Sequence, residues 1–379
     1  MRKYHRCKNC IMDTSDPYIK FNELGICNHC LTFNEVAKKN WFPNKKGSMI
    51  LRKIVNQIKI KGKRNRYDCI LGLSGGLDSS YLALKIYELG LKPLVIHVDA
   101  GWNSELAVKN IESIVKYCGF NLHTHVVYWE DIKNLHLAYL KSGVPNQDVP
   151  QDHIFTSSIY HFAAKNNIKY IISGGNLATE GIFPSSWLGN NLDARNLNFI
   201  YKKYSNKKLK SYKTLSMFDY YFWFPFIKGL RTVRPLNYMQ YNKKEALKEL
   251  KDKVDYKEYP RKHGESIFTK FFQNYYLPKR FAIDKRLPHL SSLIVSNQIS
   301  RKDALKLLEE NLYDPIELKR DKEYIAKKLG IKESDLDKLI QIPKKSFYDF
   351  PNNEKYIKKI KYLQRMFNKI FKKDFKIYS

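Results

Sequence analysis

Seven consecutive residues, Ser74-Gly75-Gly76-Leu77-Asp78-Ser79-Ser80, combine the residue types that an anion site needs. Small residues let a backbone come close and turn several N–H groups into one concavity. A helix that follows adds partial positive charge at its N-terminus. The flanks supply both elements. Upstream, Cys69-Ile70-Leu71-Gly72-Leu73 is a short apolar run with the character of a buried strand. Downstream, Leu82, Ala83, Ile86 and Leu89 recur at the spacing of one helix face. A plain strand–helix turn would explain the Ser and Gly residues, but not Asp78 and the paired hydroxyls at the helix mouth. The loop has no Gly-Lys-Ser/Thr ending, so the lysine that reaches the β and γ phosphates in a Walker A loop is missing.

The second chemical pattern is Cys7-x2-Cys10 and Cys27-x2-Cys30, with sixteen residues between the pairs. Each knuckle can present two thiolates to one tetrahedral ion, and the length between them suits a small hairpin ribbon. Gly25 and the stretch from Asp13 to Pro17 supply turn chemistry. Four protein ligands leave no open coordination position, so a zinc ion held here would be structural. A redox pair or an iron–sulfur cluster is the other reading, and neither usually calls for two symmetric knuckles. Cys69, in the strand, and Cys118, at a helix end, are read as packed thiols.

A chain of 379 residues can bury one large core or two, plus a small appendage. No run of about 18 apolar residues occurs, so no membrane span is expected. The N-terminus, MRKYHRCKNC, lacks the apolar core of a signal peptide, and the expected location is cytoplasmic. The net charge of +31 would ordinarily point to nucleic acid. Here lysine is spread along the whole chain beside abundant Asn, Ile and Tyr, a pattern closer to codon bias than to a binding stripe. A basic surface still favours anionic ligands such as nucleotides and acidic sugars.

These residues need a scaffold, and the periodicity outlines one. Residues 1–40 form the ribbon, and 41–66 a basic connector with a short amphipathic helix near Ile50 to Ile60. From Tyr67 strands and helices alternate: a strand over Leu94–Asp99, a helix over Ser104–Gly119 with Ser104 as N-cap, and a strand over Leu122–Tyr128. A helix over Phe155–Asn166 and a strand over Lys169–Ser173 follow, ending in Gly174-Gly175. Such alternation predicts an α/β fold with a doubly wound parallel sheet covered on both faces. Ligands bind off the carboxyl ends of such strands. Three polar clusters fall there: Ser74–Ser80, Asp99–Ser104 and Gly174–Glu180. The expected division is a ribbon over 1–40, a nucleotide domain over 41–245 and a mostly helical region over 246–379. Within the last, Tyr356, Ile360, Leu363, Phe367 and Ile370 share one face of a helix over 355–371, with lysines opposite. Such a helix can rest on anionic lipid; the plainer expectation is packing on its own domain.

The Ser/Gly loop resembles the SGGxDS pyrophosphate loop of the PP-loop ATP pyrophosphatases, whose domain is HUP-like. These enzymes cleave ATP between the α and β phosphates. The resemblance implies that Ser74, Gly75, Gly76, Ser79 and Ser80 cradle pyrophosphate and that Asp78 holds Mg²⁺. With the ribbon, the chain over about residues 1–310 resembles the N-acetyl sugar amidotransferases of O-antigen and pseudaminic- or legionaminic-type sugar synthesis. The matching text is CKNCIMDTSDPYIKFNELGICNHC, LSGGLDSSYLAL, HVDAGWNSELAVKNIE, SGGNLATEG, RPL and HGESIFTKFFQNYYLPKRFAIDKRLPHLSSLI. Similarity to that family implies that an acetamido oxygen of a sugar or nucleotide-sugar attacks the α-phosphate of ATP and pyrophosphate leaves. Ammonia then adds to the imidate carbon, AMP departs and an acetamidino group remains. By the same resemblance Asp99 would lie beside the adenosine, and Gly174, Gly175 and Asn176 would contact nucleotide or metal. Arg234 would face the phosphates, and Lys270 and Lys285 would act on phosphate or a sugar carboxylate, as would Lys262, His263, Glu265 and Arg286. Trp102 and Trp187 are either packed or stacked on sugar.

No Gly-x-Cys-x-Gly elbow occurs and position 2 is Arg2, so neither usual glutaminase nucleophile is present. The resemblance therefore implies a separate glutaminase subunit as ammonia source, with a channel-forming, cyclase-like subunit. Two rivals remain at this point. A tRNA-thiolating PP-loop enzyme shares the loop and often the knuckles, but needs a reactive cysteine near the site. A zinc-ribbon nucleic-acid-binding protein with a degenerate nucleotide domain would not need an intact SGGLDSS. An amide synthetase of the asparagine- or NAD-synthetase type is the nearest enzymatic neighbour.

Overall fold

Neighbouring residues of the central strands face opposite ways, and both directions are apolar. In the computed structural model, which describes residues 3–259 and 264–371, two helices precede the sheet, α1 (Asn28–Asn40) and α2 (Lys45–Gly62). The strands are β1 (Cys69–Gly72), β2 (Pro93–Asp99), β3 (Asn121–Val126), β4 (Tyr170–Ile172) and β5 (Arg231–Val233). Their order is β3-β2-β1-β4-β5, and every pairing is parallel. Leu71 lies opposite Val95 on one side and Ile172 on the other. Cys69, Leu71, Val95 and Ile172 enter one core, while Ile70, Ile96 and Ile171 enter the second. A sheet buried on both faces is what the near-continuous apolar strands require.

The first core is closed by α3 (Leu77–Glu88) and α4 (Glu105–Cys118), which contribute Leu82, Ile86 and Ile111. The second is closed by α5 (Trp129–Ser142) and α6 (Val149–Lys165), through Leu135 and Ile154. The sheet is therefore doubly wound, as expected. The chain order reverses between β1 and β4, and a doubly wound sheet opens a crevice at that point, outside the carboxyl ends of the strands. Ser104 caps α4 by accepting the Ala107 N–H at 3.2 Å, and Gly119 ends it in the left-handed region.

Three features depart from the sequence reading. Helix α5 and strand β5 are unassigned there; β5 has three residues, too few to show a period. Strand β3 is an edge strand with all six side chains exposed. Each Cys-x2-Cys knuckle has its own single bridge, Arg6 to Asp13 around the first and Phe21 to Cys27 at the second, instead of a full hairpin ladder. The second knuckle runs directly into α1. In the terminal helix Glu354–Phe371, Ile357 is buried but Tyr356 and Leu363 face solvent. Among the described residues no helix is long and apolar enough to cross a membrane.

Two buried histidines make the second core sensitive to acid. His136 lies within ring-contact distance of Trp102 and Phe268, and burial pushes it down to about 3. His153, also pushed down by burial, to about 4, accepts the Leu215 N–H through Nε2 at 2.8 Å. Both folded values lie below the unfolded imidazole value, so the folded state holds fewer protons. The associated stability is complete above about pH 6.5 and is lost as pH falls toward the folded values. Each should contribute a loss of about 2 kcal/mol between pH 7 and pH 5. His136→Leu should therefore lose about 2 kcal/mol less over that interval than wild type in urea unfolding. Equal slopes for the two proteins would show that His136 titrates like a solvated imidazole.

Candidate active site

Past β1 the backbone crosses to α3 through Ser74, Gly75 and Gly76, and Gly76 is the helix cap. Gly75 has φ +81°, and a Cβ there would stand 2.6 Å from the Ala107 carbonyl, so only glycine fits between loop and α4. The Gly75 carbonyl accepts hydroxyls from Tyr256 at 3.3 Å and Tyr259 at 3.0 Å. Ser74 Oγ and Ser79 Oγ are 3.1 Å apart across the loop mouth, and the Gly76 N–H donates to Ser74 Oγ at 3.3 Å. From the neighbouring strand, Gly174 comes so close that a Cβ there would lie 3.2 Å from Ser79 Cα. Two strand ends thus converge on one helix mouth.

Asp78 stands in the first turn of α3 and is held from three sides. Its carboxylate accepts the Thr179 hydroxyl at 2.9 Å, the Asn176 amide at 3.3 Å and the Tyr241 hydroxyl. Burial and the Asp78 charge hold the Tyr241 phenol well above its usual range, which keeps it a donor. Asn176 in turn accepts the Thr179 N–H at 2.9 Å. Thr179 and Tyr241 were not foreseen. Thr179 lies inside the Gly174–Glu180 cluster and was legible there; nothing in the sequence around Tyr241 marks it.

The crevice is a cavity of about 520 Å³. Ser74, Gly76, Asp78, Ser79, Gly174 and Gly175 line one end. The other end is lined by side chains after residue 264, among them Gln273, Asn274, Lys285 and His289. Gln273 and Asn274 sit on a π-helical turn, Phe272–Tyr276, and the Asn274 Nδ2 is buried without a partner. Glu265 Oε1 lies 3.2 Å from where a Cβ on Gly76 would stand, and Glu180 and Glu258 also line the wall. Among the described residues these carboxylates do not converge as a ligand cluster, and Asp78 is the one braced at the loop mouth by Thr179 and Asn176.

Several expected site residues lie elsewhere. Ser80 is fully buried, its Oγ turned into the core, because the second hydroxyl of the pair falls on the packed face of α3. Asp99 does not line the cavity; its Oδ1 accepts the Gly101 N–H at 2.7 Å. The rest of that cluster docks the segment after residue 264, with the Ser104 N–H donating to the Glu265 carbonyl at 2.8 Å. Lys270 is spent on an ion-pair network with Glu317 at 2.6 Å and Asp321 at 2.5 Å, away from the cavity. Arg234 lies behind Gly175, outside the cavity wall, with its Nε buried and unpartnered. Gly75 and Asn176 shape the loop and brace Asp78, and neither lines the wall. Lys285 does line it, its ammonium 4.4 Å from the Phe183 ring centroid. Arg286 also lines it, paired with Asp284 at 2.8 Å and donating to the Glu310 carbonyl at 2.7 Å. Trp102 and Trp187 are both buried and pack in the core. Lys262 and His263 lie outside the described residues.

In the ribbon the four thiols converge. Their sulfurs lie within 4.8 Å of one another, with separations of 3.6 Å (Cys10–Cys27), 3.7 Å (Cys27–Cys30) and 3.9 Å (Cys7–Cys30). A tetrahedron with Zn–S bonds of about 2.3 Å has edges of about 3.8 Å. Backbone and amide N–H groups also point at sulfur: Cys27 N at 3.2 Å from Cys7 Sγ, and Asn9 Nδ2 at 3.3 Å from Cys30 Sγ. Such donors stabilise thiolates, and the donor set fits zinc. All four are buried, so the site is closed.

Residues 265–366 match the family described as LPS biosynthesis protein WbpG-like, C-terminal domain. The chain carries a WbpG-like C-terminal domain. This agrees with the family resemblance read from the sequence. The lining residues from Glu265 through Lys285 to Leu312 fall within that match, and the lining residues of the Ser/Gly loop follow the sheet's first strand. No curated protein matches the chain. Similar solved structures include the NH3-dependent NAD synthetase of Campylobacter jejuni, at 15% identity over 76% of this chain and 97% of that one, with TM-score 0.32. Another is the NMN synthetase of Francisella tularensis, at 15% identity over 57% of this chain and 98% of that one, with TM-score 0.27.

Proposed function

We propose that the chain is an ATP-dependent amidotransferase that converts an acetamido group of a sugar into an acetamidino group, forming AMP and pyrophosphate. One observation carries the reading: the loop around Asp78 and the WbpG-like domain line a single cavity. ATP would lie with its β and γ phosphates at Ser74, Gly76 and Ser79, where loop N–H groups and the start of α3 offset charge on the leaving pyrophosphate. Magnesium, held by Asp78, would supply further compensation of phosphate charge. Thr179, Asn176 and Tyr241 fix the Asp78 carboxylate, so that it need not reorganise during the reaction. The acceptor would lie at the end formed by Gln273, Asn274, Lys285 and His289. Its amide oxygen forms the bond to the α-phosphorus as the bond to pyrophosphate breaks. Ammonia then adds at the carbon, and the carbon–oxygen bond to AMP breaks. Holding both reactants in one enclosed site supplies much of the rate.

The cysteines favour this reading over thiolation. All six are buried; four converge in the ribbon, and burial pushes Cys118 up to about 12 and Cys69 higher still. No described thiol is placed or poised to carry sulfur. We assign ammonia supply to a separate glutaminase subunit, with a channel-forming partner, and the working compartment to the cytoplasm. The test is pyrophosphate release from Mg·ATP with ammonium across acetamido sugars, nucleotide-sugars and bulk tRNA, with products read by mass spectrometry. The expected result is AMP, pyrophosphate and a sugar in which NH replaces oxygen, with ammonium active and glutamine alone inactive. Release only with tRNA and a sulfur donor would replace this function with thiolation.

A further inference from the structure

The nine-residue π-helix Asp219–Ile227 buries Phe224, packs Tyr220 against Tyr160 and leaves Phe222, Trp223 and Phe226 exposed. Phe218, Phe222 and Phe226, 58%, 47% and 49% exposed, form a continuous ridge with ring centroids 5.1 and 5.8 Å apart. Ile227 beside them is 54% exposed, and the Lys228 ammonium lies 5.6 Å from the Trp223 ring centroid. Contiguous apolar surface of this kind is rare on a protein that meets only water. The helix is anchored from behind, since Tyr160 and His161 of α6 pack on Phe224. Its orientation is therefore set by the fold.

Basic residues flank the ridge along the chain. Residues 202–231 contain eight Lys or Arg and one acid, Asp219, which accepts the Ser216 hydroxyl at 2.7 Å. Lys213 is tied to the same α6, its carbonyl accepting the Ser157 hydroxyl at 2.6 Å. Lys169 donates to the Lys228 carbonyl at 2.9 Å. We infer that this ridge docks the protein on an anionic lipid surface, the phenyl rings and Ile227 entering the headgroup–acyl boundary and the lysines meeting lipid phosphates. A second copy of the chain is a poor occupant, because a two-fold contact would set one basic flank against the other. RNA is a poorer one as well: the phenyl rings lie tilted against each other at 35° and 36°, so they present no row of parallel faces on which successive bases could stack.

The test is sedimentation of the full chain with vesicles of mixed phosphatidylglycerol and phosphatidylcholine, against phosphatidylcholine alone. Wild type should bind the anionic vesicles, and about 1 M salt should weaken binding by screening the lysines. Phe218→Ser/Phe222→Ser/Phe226→Ser, with the terminal helix intact, should bind at least about tenfold more weakly while its melting temperature holds. Should that variant fail to fold, Lys213→Glu/Lys228→Glu should lose the preference for anionic vesicles, and Trp223→Phe should lose the blue shift that vesicles induce in emission. Absence of binding by wild type, undiminished binding by the triple variant, or a ridge-dependent dimer or poly(U) complex in its place would overturn the proposal.

Discussion

Asp78→Ala should reduce ATP-dependent pyrophosphate release by about 10³-fold, the scale of losing a preorganised electrostatic group at a reacting centre. The argument rests on position as well as charge. Asp78 is the only carboxylate inside the Ser/Gly loop, and three donors hold it, Asn176 and Thr179 from one helical turn and Tyr241 from a second segment. A carboxylate oriented by Thr179, Asn176 and Tyr241 is costly to maintain unless something in the cavity uses it. Alanine would leave the Tyr241 hydroxyl without its acceptor, so Asp78→Asn is the sharper companion: it keeps the volume and removes the charge. Both variants should retain the wild-type circular dichroism spectrum, and Asp78→Asn should retain the melting temperature within a few degrees. Pyrophosphate release close to wild type in Asp78→Asn would remove Asp78 from the chemistry and, with it, the assignment of magnesium to this residue.

The second large effect lies in the ribbon, which does not itself line the cavity. Elemental analysis should find about one zinc per chain, and Cys7→Ser should lose it. Small zinc ribbons owe about 10–16 kcal/mol of folding free energy to the metal, so the loss should unfold this unit locally. The damage should not stop there. Ile11 and Met12 between the knuckles are fully buried, and the Ile11 N–H donates to Ser291 Oγ at 3.2 Å. Arg301 donates to the carbonyls of Cys10 at 3.0 Å and Cys7 at 3.1 Å. The ribbon is therefore fastened to the WbpG-like domain, which lines half of the cavity. Cys7→Ser should show early proteolysis within residues 3–40 and a melting temperature lower by several degrees. A visible iron–sulfur band in wild type would overturn the zinc assignment, and full stability after metal removal would show that the ribbon stands on packing alone.

How much of this was legible beforehand follows from the range of each interaction. The anion loop, its strand and its helix were readable because their signals are local: a period of apolar residues, a Ser/Gly turn, a helix mouth. The knuckles were readable for the same reason, since tetrahedral ligation fixes the spacing within each pair. Ser80 and Lys270 were misread because residue type says nothing about which way a side chain points; one lies on the packed face of α3 and the other meets Glu317 and Asp321 forty-seven and fifty-one residues on. Asp99 fell at a strand end, as expected, but its carboxylate turned back to cap its own turn.

By itself the sequence determined the fold class, the loop that begins α3 and the four cysteines of the ribbon, all products of short-range pattern. Only the tertiary structure decided what Asp78 meets. Tyr241 and Thr179 reach it from 163 and 101 residues away. Tertiary structure likewise decided that Glu265 would lie over Gly76, that the WbpG-like domain would close the cavity, and that three phenyl rings at i, i+4 and i+8 would face outward instead of into the core. These depend on which surfaces pack when the two cores form, and packing is a property of the whole chain.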